Sequence, residues 1–173
     1  MGFFDKLFGG KSKDENTAKF TNQSKTVLTP LQGKVLAQAD IPDETFAQGI
    51  LGPGCGIEPT GDTVYAPFDG TVTQIATTLH AVGITSNDGI ELLIHVGMDT
   101  VDMKGHGFTV LVKENQKVTA GTPLLKVDLE AIRAAGHPTA TALIVTNSDD
   151  LPEISVAANG DAAAGTPVFK FKK

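Results

Sequence analysis

The sequence predicts an all-β domain, an antiparallel β-sandwich or barrel that arises by internal duplication and carries short helical inserts. Short β-branched runs along the chain are separated by turns, for which 19 glycines and 9 prolines are available. Two short motifs each occur twice, which is typical of a duplicated structural unit. Segments with helical periodicity are few and short, so helices are expected only as inserts.

Strands are predicted wherever a β-branched or apolar run lies between turn residues. In chain order, the predicted strands are Lys34–Ala37, Thr63–Ala66, Gly70–Ala76, Ala81–Ser86, Ile90–Val96, Phe108–Val112, Pro123–Val127, Ala142–Val145 and Pro167–Phe171. A helix is predicted at Leu129–Ala135, where Gly136 and Pro138 end it. Shorter helical turns are predicted at Asp43–Gln48 and near Asp149–Leu151.

The repeated motifs define the duplicated unit. Thr29–Val35 reads TPLQGKV and Ala66–Val72 reads APFDGTV, so each contains a P-x-x-G turn that enters a strand. Ala120–Val127 (AGTPLLKV) and Ala164–Phe171 (AGTPVFKF) each place a G-T-P turn before another strand. Because proline has no backbone N–H to give to a strand ladder, strands are expected to begin at these turns or to lie at edges.

The first 25 residues differ in composition from the rest, which divides the chain into a tail, residues 1–25, and a domain, residues 26–173. Phe3, Phe4, Leu7 and Phe8 follow helical spacing. A short amphipathic helix here would make weak contact with a membrane surface. Two helical turns are marginal in isolation, so a frayed tail is the alternative interpretation.

Composition limits the function classes. The formal net charge is −6, and the body of the chain has no basic patch, which argues against a nucleic-acid partner. No apolar run approaches a membrane span, and the N-terminus lacks the apolar core of a secretory signal. The single cysteine cannot form an internal disulfide. Together these features predict a cytoplasmic protein.

The segment from residue 79 to residue 101 holds the most informative pattern. Two β-like runs flank an Asn-Asp-Gly turn at residues 87–89, a strong hairpin signal. If the first two of these residues form the loop, His80 and His95 lie directly opposite on one face, with Cβ atoms roughly 4.5–5.5 Å apart. A one-residue slip would put the two histidines on opposite faces, so the prediction depends on register.

Two facing imidazoles suit the transfer of a phosphoryl group. One neutral ring nitrogen would attack phosphorus, and the other ring would donate an N–H to the phosphoryl oxygens. A metal ion is the alternative ligand, but no third ligand lies beside the two histidines in the sequence. Two ordinary half-buried histidines would show the same spacing, and the hairpin alone does not exclude them.

Several motifs resemble one known family. Ile94–Val101 reads IHVGMDTV and is followed by DMKGHGF, and this stretch is similar to the phosphorylation-site motif of the glucose-type IIA family of the bacterial sugar phosphotransferase system. Ala66–Val72, the LHAVGI stretch around His80 and Ile144–Asp149 (IVTNSD) match other parts of the family pattern. The resemblance extends over residues 29–171 and implies a duplicated β-sandwich, in agreement with the repeats.

The resemblance implies roles for individual residues. His95 would be the phosphoacceptor, carrying phosphate on Nε2, and His80 would stabilise the phosphoryl group and pass it onward. Thr78 would orient His80, and the carbonyl of Gly97 would orient His95. The implied partner-binding residues are acidic or apolar: Asp43, Phe46, Ile50, Leu93, Asp99 and Val101.

The predicted function is that of a phosphotransferase component with a phosphohistidine intermediate. The resemblance implies a donor, the phosphorylated histidine-containing phosphocarrier HPr, and an acceptor, a cysteine on the IIB domain of a sugar permease. No cofactor is required beyond transient phosphate on histidine, although a zinc ion bridging His80 and His95 to a partner is conceivable. Permeases or metabolic enzymes are further regulatory targets in this family. A monomer is expected.

Two other interpretations stay open beside this one. A regulatory docking protein would bind partners without accepting phosphate. APFDGTV also resembles the swinging-arm domains that carry biotin or lipoate, but the Asn-Asp-Gly turn lacks the lysine that such domains modify. Cys55 lies in a Gly/Pro-rich loop, and His106 and His137 lie beside turn residues. All three are expected to be non-catalytic.

Overall fold

Short antiparallel strands alternate with turns throughout residues 20–172, the part of the chain that the computed structural model describes. The strands are β1 (Thr26–Leu28), β2 (Gly33–Leu36), β3 (Gly54–Pro59), β4 (Thr63–Tyr65), β5 (Gly70–Ile75), β6 (Ala81–Ser86), β7 (Glu91–His95), β8 (Phe108–Val110), β9 (Lys117–Val118), β10 (Pro123–Val127), β11 (Thr141–Val145), β12 (Ile154–Val156), β13 (Gly160–Ala162) and β14 (Pro167–Phe171). The helices are α1 (Glu44–Ala47), α2 (Leu129–Ala134) and 3₁₀ turns at Gln38–Asp40, Thr100–Met103 and Ser148–Asp150. The predicted all-β class with short helical inserts is confirmed.

The strands form three antiparallel sheets. The largest has eight strands in the order β13-β2-β3-β11-β7-β6-β5-β9. Two sheets of three strands, β1-β14-β12 and β4-β10-β8, complete the fold. This order puts β7, which ends at His95, inside the largest sheet between β6 and β11.

The duplicated motifs make equivalent hydrogen bonds in the two halves. In each half, the first motif exchanges a pair of backbone bonds with the G-T-P motif. These bonds are Thr29 N–H to Thr166 O (2.6 Å), Gly165 N–H to Thr29 O (2.8 Å), Ala66 N–H to Thr122 O (2.8 Å) and Gly121 N–H to Ala66 O (2.9 Å). Gly33 and Gly70 occupy the same place in their motifs, and a Cβ on either would overlap a carbonyl oxygen of the neighbouring strand. The repeat therefore preserves a close approach between strands that only glycine permits.

Every predicted strand overlaps an observed one, but β3 was not predicted. Its glycines lower strand propensity, and the structure shows why they are present. A Cβ on Gly54 would overlap the carbonyl group of Leu143, and a Cβ on Gly56 would lie 3.0 Å from the Ile41 side chain. Tertiary packing therefore overrides propensity in β3. Strands β1, β9, β12 and β13 were also missed, because two or three residues are too few to show alternation.

Two apolar clusters support the fold. The larger draws fully buried side chains from all three sheets, including Ile84, Leu124 and Phe169. The smaller joins α1 to strands β7 and β11 through a short set of side chains: Ile41, Phe46, Met98, Ala142 and Ile144, with Leu93 packed against them. The smaller cluster lies at the end of β7 that carries His95, so it forms the base of the candidate site.

Contacts with the domain begin before the boundary that the sequence predicted at residue 26. The Phe20 ring lies 5.3 Å from the Tyr65 ring, and the Lys25 backbone N–H donates to Asp88 Oδ2 at 2.7 Å. The amphipathic helix predicted around Phe3 lies outside the described residues. None of the helices within residues 20–172 has the length and apolar character needed to span a membrane.

Candidate active site

The hairpin of β6 and β7 carries the two histidines, but its register differs from the predicted one. Ala81, rather than His80, pairs with His95, so residues 87–89 form a three-residue loop. Its third residue, Gly89, has φ +94°, the left-handed conformation typical of such loops. The prediction of a two-residue loop, with the histidines directly opposite in the ladder, is therefore wrong.

The two imidazoles nevertheless face each other because the chain bends before β6 begins. Leu79 has φ +66°, so His80 lies outside the regular strand, although its carbonyl still accepts the Val96 N–H at 2.8 Å. The ring centroids of His80 and His95 are 4.7 Å apart, and the ring planes meet at 80°. A regular strand continued back to residue 80 would have turned this side chain to the opposite face.

A backbone carbonyl fixes the ring of His95. His95 Nδ1 lies 2.9 Å from the Gly97 carbonyl oxygen. Because a carbonyl oxygen only accepts, Nδ1 carries the hydrogen, and in the neutral ring Nε2 keeps its lone pair. Gly97 has φ +73°, and a Cβ there would lie 2.5 Å from Thr100 Cγ2. This turn therefore requires glycine.

Two further residues hold the turn that presents the Gly97 carbonyl, and the sequence analysis identified neither. Thr100 is fully buried, and its hydroxyl donates to the Val96 carbonyl oxygen at 2.6 Å. The Pro138 carbonyl accepts the Met98 N–H at 3.0 Å. The position of Thr100 within IHVGMDTV was a usable signal. Pro138 is distant in sequence, and only the fold brings it to the turn.

His80 is held by a hydroxyl and an aromatic ring. Thr78 Oγ1 lies 2.8 Å from His80 Nδ1, which is the placement expected from the resemblance. The Phe108 ring lies edge-on, 6.4 Å from the His80 ring centroid to centroid, and only 7% of His80 is exposed. Phe108 was not predicted as a site residue, because nothing in its local sequence indicates contact with the hairpin.

Burial holds the pKa of both histidines below its usual value of 6.5. For His95, burial is the largest cause and the nearby His80 lowers the pKa further, whereas the Gly97 carbonyl and the Asp43 carboxylate act in the opposite direction. For His80, burial lowers the pKa and a hydrogen bond to the backbone of Thr78 opposes it. Both rings are therefore mainly neutral near pH 7, the state in which a ring nitrogen is a nucleophile.

Phe46 forms a wall beside His95. The two ring centroids are 4.9 Å apart, and Phe46 is only 7% exposed. Asp43 precedes α1 and accepts the Phe46 N–H at 3.2 Å, so it caps the helix that carries this ring. The resemblance had placed Phe46 on the docking rim. The structure packs most of its ring against the imidazole and the smaller apolar cluster.

Exposed apolar side chains lie on the segments that follow α1 and β7. Ile50 is 68% exposed and Leu51 44% exposed in the first, and Val101 is 51% exposed in the second. Leu93 is half-buried on β7, and Asp99 is exposed with φ +60°. Leu51 was not predicted, although its apolar neighbour Ile50 was. Exposed apolar side chains that lie together can mark a contact surface, so these residues are candidates for one.

A metal site is not complete within residues 20–172, where no three His, Cys, Asp or Glu side chains lie close enough together to hold an ion. His80 and His95 could supply two of the four ligands that tetrahedral zinc needs, and a partner would have to supply the rest. The shared zinc ion stays a prediction.

Cys55 has no feature of a reactive thiol. It is 1% exposed, and burial raises its pKa to about 12, so little thiolate forms near neutral pH. His106 is exposed and His137 half-buried. A cavity of about 390 Å³ beside Phe108 and Lys126 is lined by neither His80 nor His95.

Comparison with known proteins identifies the family of this chain. Residues 25–151 match the family described as phosphoenolpyruvate-dependent sugar phosphotransferase system, EIIA 1. The glucose-specific EIIA component of Halalkalibacterium halodurans is 43% identical over 162 residues, covering 94% of this chain and 93% of that protein. The glucose permease IIA from Mycoplasma capricolum matches in structure with a TM-score of 0.76 and 30% identity, covering 88% of this chain and 98% of that one.

Other relatives are much longer than this chain. The glucose-specific EIICBA component of Streptococcus pneumoniae is 41% identical over 158 residues, which are 91% of this chain and 22% of the relative. Relatives named EIICBA and EIIBCA components combine EIIA with EIIB and EIIC in one protein. The family match and the relative that is 43% identical over nearly its whole length show that the chain belongs to the EIIA family of the sugar phosphotransferase system. The chain is therefore a phosphotransfer component of that system.

Proposed function

We propose that His95 carries the phosphoryl group, taking it from phospho-HPr and passing it to a cysteine of a IIB domain. The observation that carries this proposal is the orientation of the His95 ring. Its Nδ1 is bonded to the Gly97 carbonyl at 2.9 Å, which leaves the Nε2 lone pair for attack. The centroid of the His80 ring lies 4.7 Å from that of the His95 ring, so His80 is within reach of a group attached to His95.

Each transfer exchanges one bond to phosphorus for another. His95 Nε2 attacks the phosphorus of the phosphohistidine on HPr, and the electron pair of the breaking N–P bond returns to the donor nitrogen. The His95 ring gains positive charge, which the Gly97 carbonyl and the Asp43 carboxylate stabilise. In the second step, the IIB thiolate attacks the same phosphorus. The electron pair of the N–P bond then returns to Nε2 and regenerates the carrier.

His80 is proposed to stabilise the phosphoryl oxygens. If the Thr78 hydroxyl donates to His80 Nδ1, the hydrogen of the neutral ring sits on Nε2 and can be donated to an oxygen as charge spreads over the phosphoryl group. Replacing His80 with Gln should leave acceptance by His95 largely intact and block donation. Donation by His80→Gln at the normal rate would show that this division of roles is wrong.

Partners are proposed to dock on an apolar rim formed by Ile50, Leu51, Leu93 and Val101. Its exposed members favour burial against another protein. Asp99 is exposed beside Val101, and the chain has a net charge of −6, which suits a donor with a basic contact surface. The IIB acceptor is supported by the relatives that carry EIIA and EIIB in one protein.

Intact-mass measurement with Enzyme I, HPr and phosphoenolpyruvate tests the proposal. We expect the wild-type protein to gain a single acid-labile phosphate and His95→Ala to gain none. His106→Ala is the matched control, because His106 is an exposed histidine outside the pair and its loss should not prevent uptake. No uptake from a donor shown to be active would refute the carrier function and favour the regulatory docking protein.

A further inference from the structure

The segment that carries Ile50 and Leu51 has an unusual backbone. We call residues 48–53, which connect α1 to β3, the docking loop. Gly49 has φ +75° and Gly52 has φ +137°, so the chain turns sharply on both sides of the exposed apolar pair. Exposed side chains on such a turn have few contacts of their own, so their position depends on how the backbone is held.

The side chain of Gln38 bonds to the backbone at both ends of this loop. Its Nε2 donates to the Phe46 carbonyl oxygen at 2.9 Å and to the Gly52 carbonyl oxygen at 2.9 Å. Its Oε1 accepts the Gly54 N–H at 3.2 Å. A primary amide has two N–H donors, and both are used here. One half-buried side chain therefore ties the end of α1 to the start of β3.

The docking loop closes over this amide. A Cβ on Gly49 would lie 3.7 Å from Gln38 Nε2, so the loop backbone passes directly above the side chain. The backbone bonds of the loop include two short-range ones, Gly52 N–H to Gly49 O at 3.1 Å and Ile50 N–H to Thr45 O at 3.3 Å. A long-range bond at the end of the loop, Val145 N–H to Pro53 O at 2.9 Å, joins it to β11. The short-range bonds close successive turns and the Pro53 bond fixes only the end of the loop, whereas Gln38 bonds to the backbone before, within and after the loop.

We propose that Gln38 is a positioning residue for docking, whose amide holds the loop so that Ile50 and Leu51 present their apolar surface to the phosphoryl donor. This inference rests on the proposed function. Gln38 acts on the partner contact and not on the reacting atoms. Besides the Gln38 bond to its carbonyl, Phe46 is held by the Asp43 cap and by the smaller apolar cluster, so the wall beside His95 should persist without Gln38.

Substitution of Gln38 should disturb the docking loop without disturbing the reacting groups around His95. Gln38→Glu keeps an oxygen for the Gly54 N–H, but it loses both donors and sets a carboxylate oxygen against two carbonyl oxygens. Gln38→Leu removes the amide without adding charge. Gln116→Glu is the matched control, because the exposed side chain of Gln116 accepts the Lys113 N–H at 3.0 Å, which a glutamate can also do.

The decisive measurement compares a protein donor with a small one. For transfer from phospho-HPr, both Gln38 variants should raise KM about tenfold and leave kcat within about twofold, as expected when lost hydrogen bonds loosen a binding loop. Phosphorylation of His95 by phosphoramidate, which needs no docking surface, should stay at the wild-type rate. A residue with a merely structural role would impair both reactions together.

The outcomes distinguish this inference from the proposed function. A wild-type protein that takes no phosphate from HPr overturns the proposed function and the docking role with it. If the wild-type protein accepts phosphate from HPr and the Gln38 variants have an unchanged KM, the inference about Gln38 is overturned and the proposed function stands. Amide hydrogen exchange should rise about tenfold across the docking loop in both variants. A raised KM without faster exchange would show that Gln38 contacts the partner instead of positioning the loop, and would also overturn the inference.

Discussion

The Gly97→Ala substitution tests the claim that a backbone carbonyl orients His95, the proposed phosphoacceptor. Gly97 follows β7 directly after Val96, and its carbonyl accepts from His95 Nδ1. The substitution adds a single methyl group and removes no hydrogen-bonding atom. Any effect must therefore come from movement of the backbone at this turn.

Two costs add at this position. An L-residue in the left-handed conformation costs about 1–2 kcal/mol relative to glycine. The new Cβ would lie 2.5 Å from Thr100 Cγ2 and 3.1 Å from the Pro138 carbonyl oxygen, and such overpacking adds about 1–3 kcal/mol. The free energy of unfolding should therefore fall by about 2–5 kcal/mol. Relief of the overlap would move the carbonyl away from His95, and a displacement of about 1 Å can slow a reaction about 100-fold.

Urea unfolding and initial rates of phosphate uptake from phospho-HPr measure the two effects. Gly136→Ala is the matched control, because Gly136 has φ +84° and its added Cβ would meet nothing within 4 Å. The control should lose only the conformational part, about 1–2 kcal/mol, and keep its uptake rate. If Gly97→Ala is no less stable than Gly136→Ala and accepts phosphate at the wild-type rate, the carbonyl does not orient His95.

Three further predictions follow from burial and hydrogen bonding. Thr100→Val should lower the free energy of urea unfolding by about 1–3 kcal/mol and slow phosphate uptake, because the buried Val96 carbonyl loses its hydroxyl donor; unchanged stability would contradict this. Because burial holds the pKa of His80 and His95 below 6.5, the unfolded chain binds protons first, so stability should be full above pH 6.5 and fall as the pH drops below it. Urea unfolding at a series of pH values should show a weaker fall in His95→Gln than in wild type. Cys55 should resist a thiol reagent at about pH 8 in the folded protein and react in urea, because it is buried and its pKa is about 12.

Local sequence was enough to predict most strands and the duplication. The P-x-x-G and G-T-P turns predict strand starts because proline and glycine restrict the backbone in ways that do not depend on the rest of the fold. They correctly predicted Gly33 and Gly70 as entries to β2 and β5. Strand β3 was not predicted because its glycines are required by close contacts with Leu143 and Ile41, and those residues are distant from β3 in sequence.

The candidate site shows the same division. The hairpin pattern identified His80 and His95 as residues that could act together, and the resemblance to the glucose-type IIA family added Thr78 and Gly97. In the structure, Thr78 lies within hydrogen-bond distance of His80, and Gly97 lies within hydrogen-bond distance of His95. The hairpin pattern also predicted that the two histidines would face each other, but through pairing of His80 with His95 in the strand ladder. In the structure, Ala81 pairs with His95 instead. Sequence reasoning missed Thr100, Pro138, Phe108 and Gln38, because each acts through a contact made only in the folded chain.

What the sequence by itself determined about this protein is therefore its duplicated β architecture and the pair of histidines proposed to carry its chemistry, because turn preferences and residue identity are local properties. The tertiary structure alone decided how those side chains meet. A left-handed bend at Leu79 turns His80 toward His95 despite a register that would separate them. The final positions of the rings depend on backbone turns and packing partners from distant segments, and no local pattern specifies those contacts.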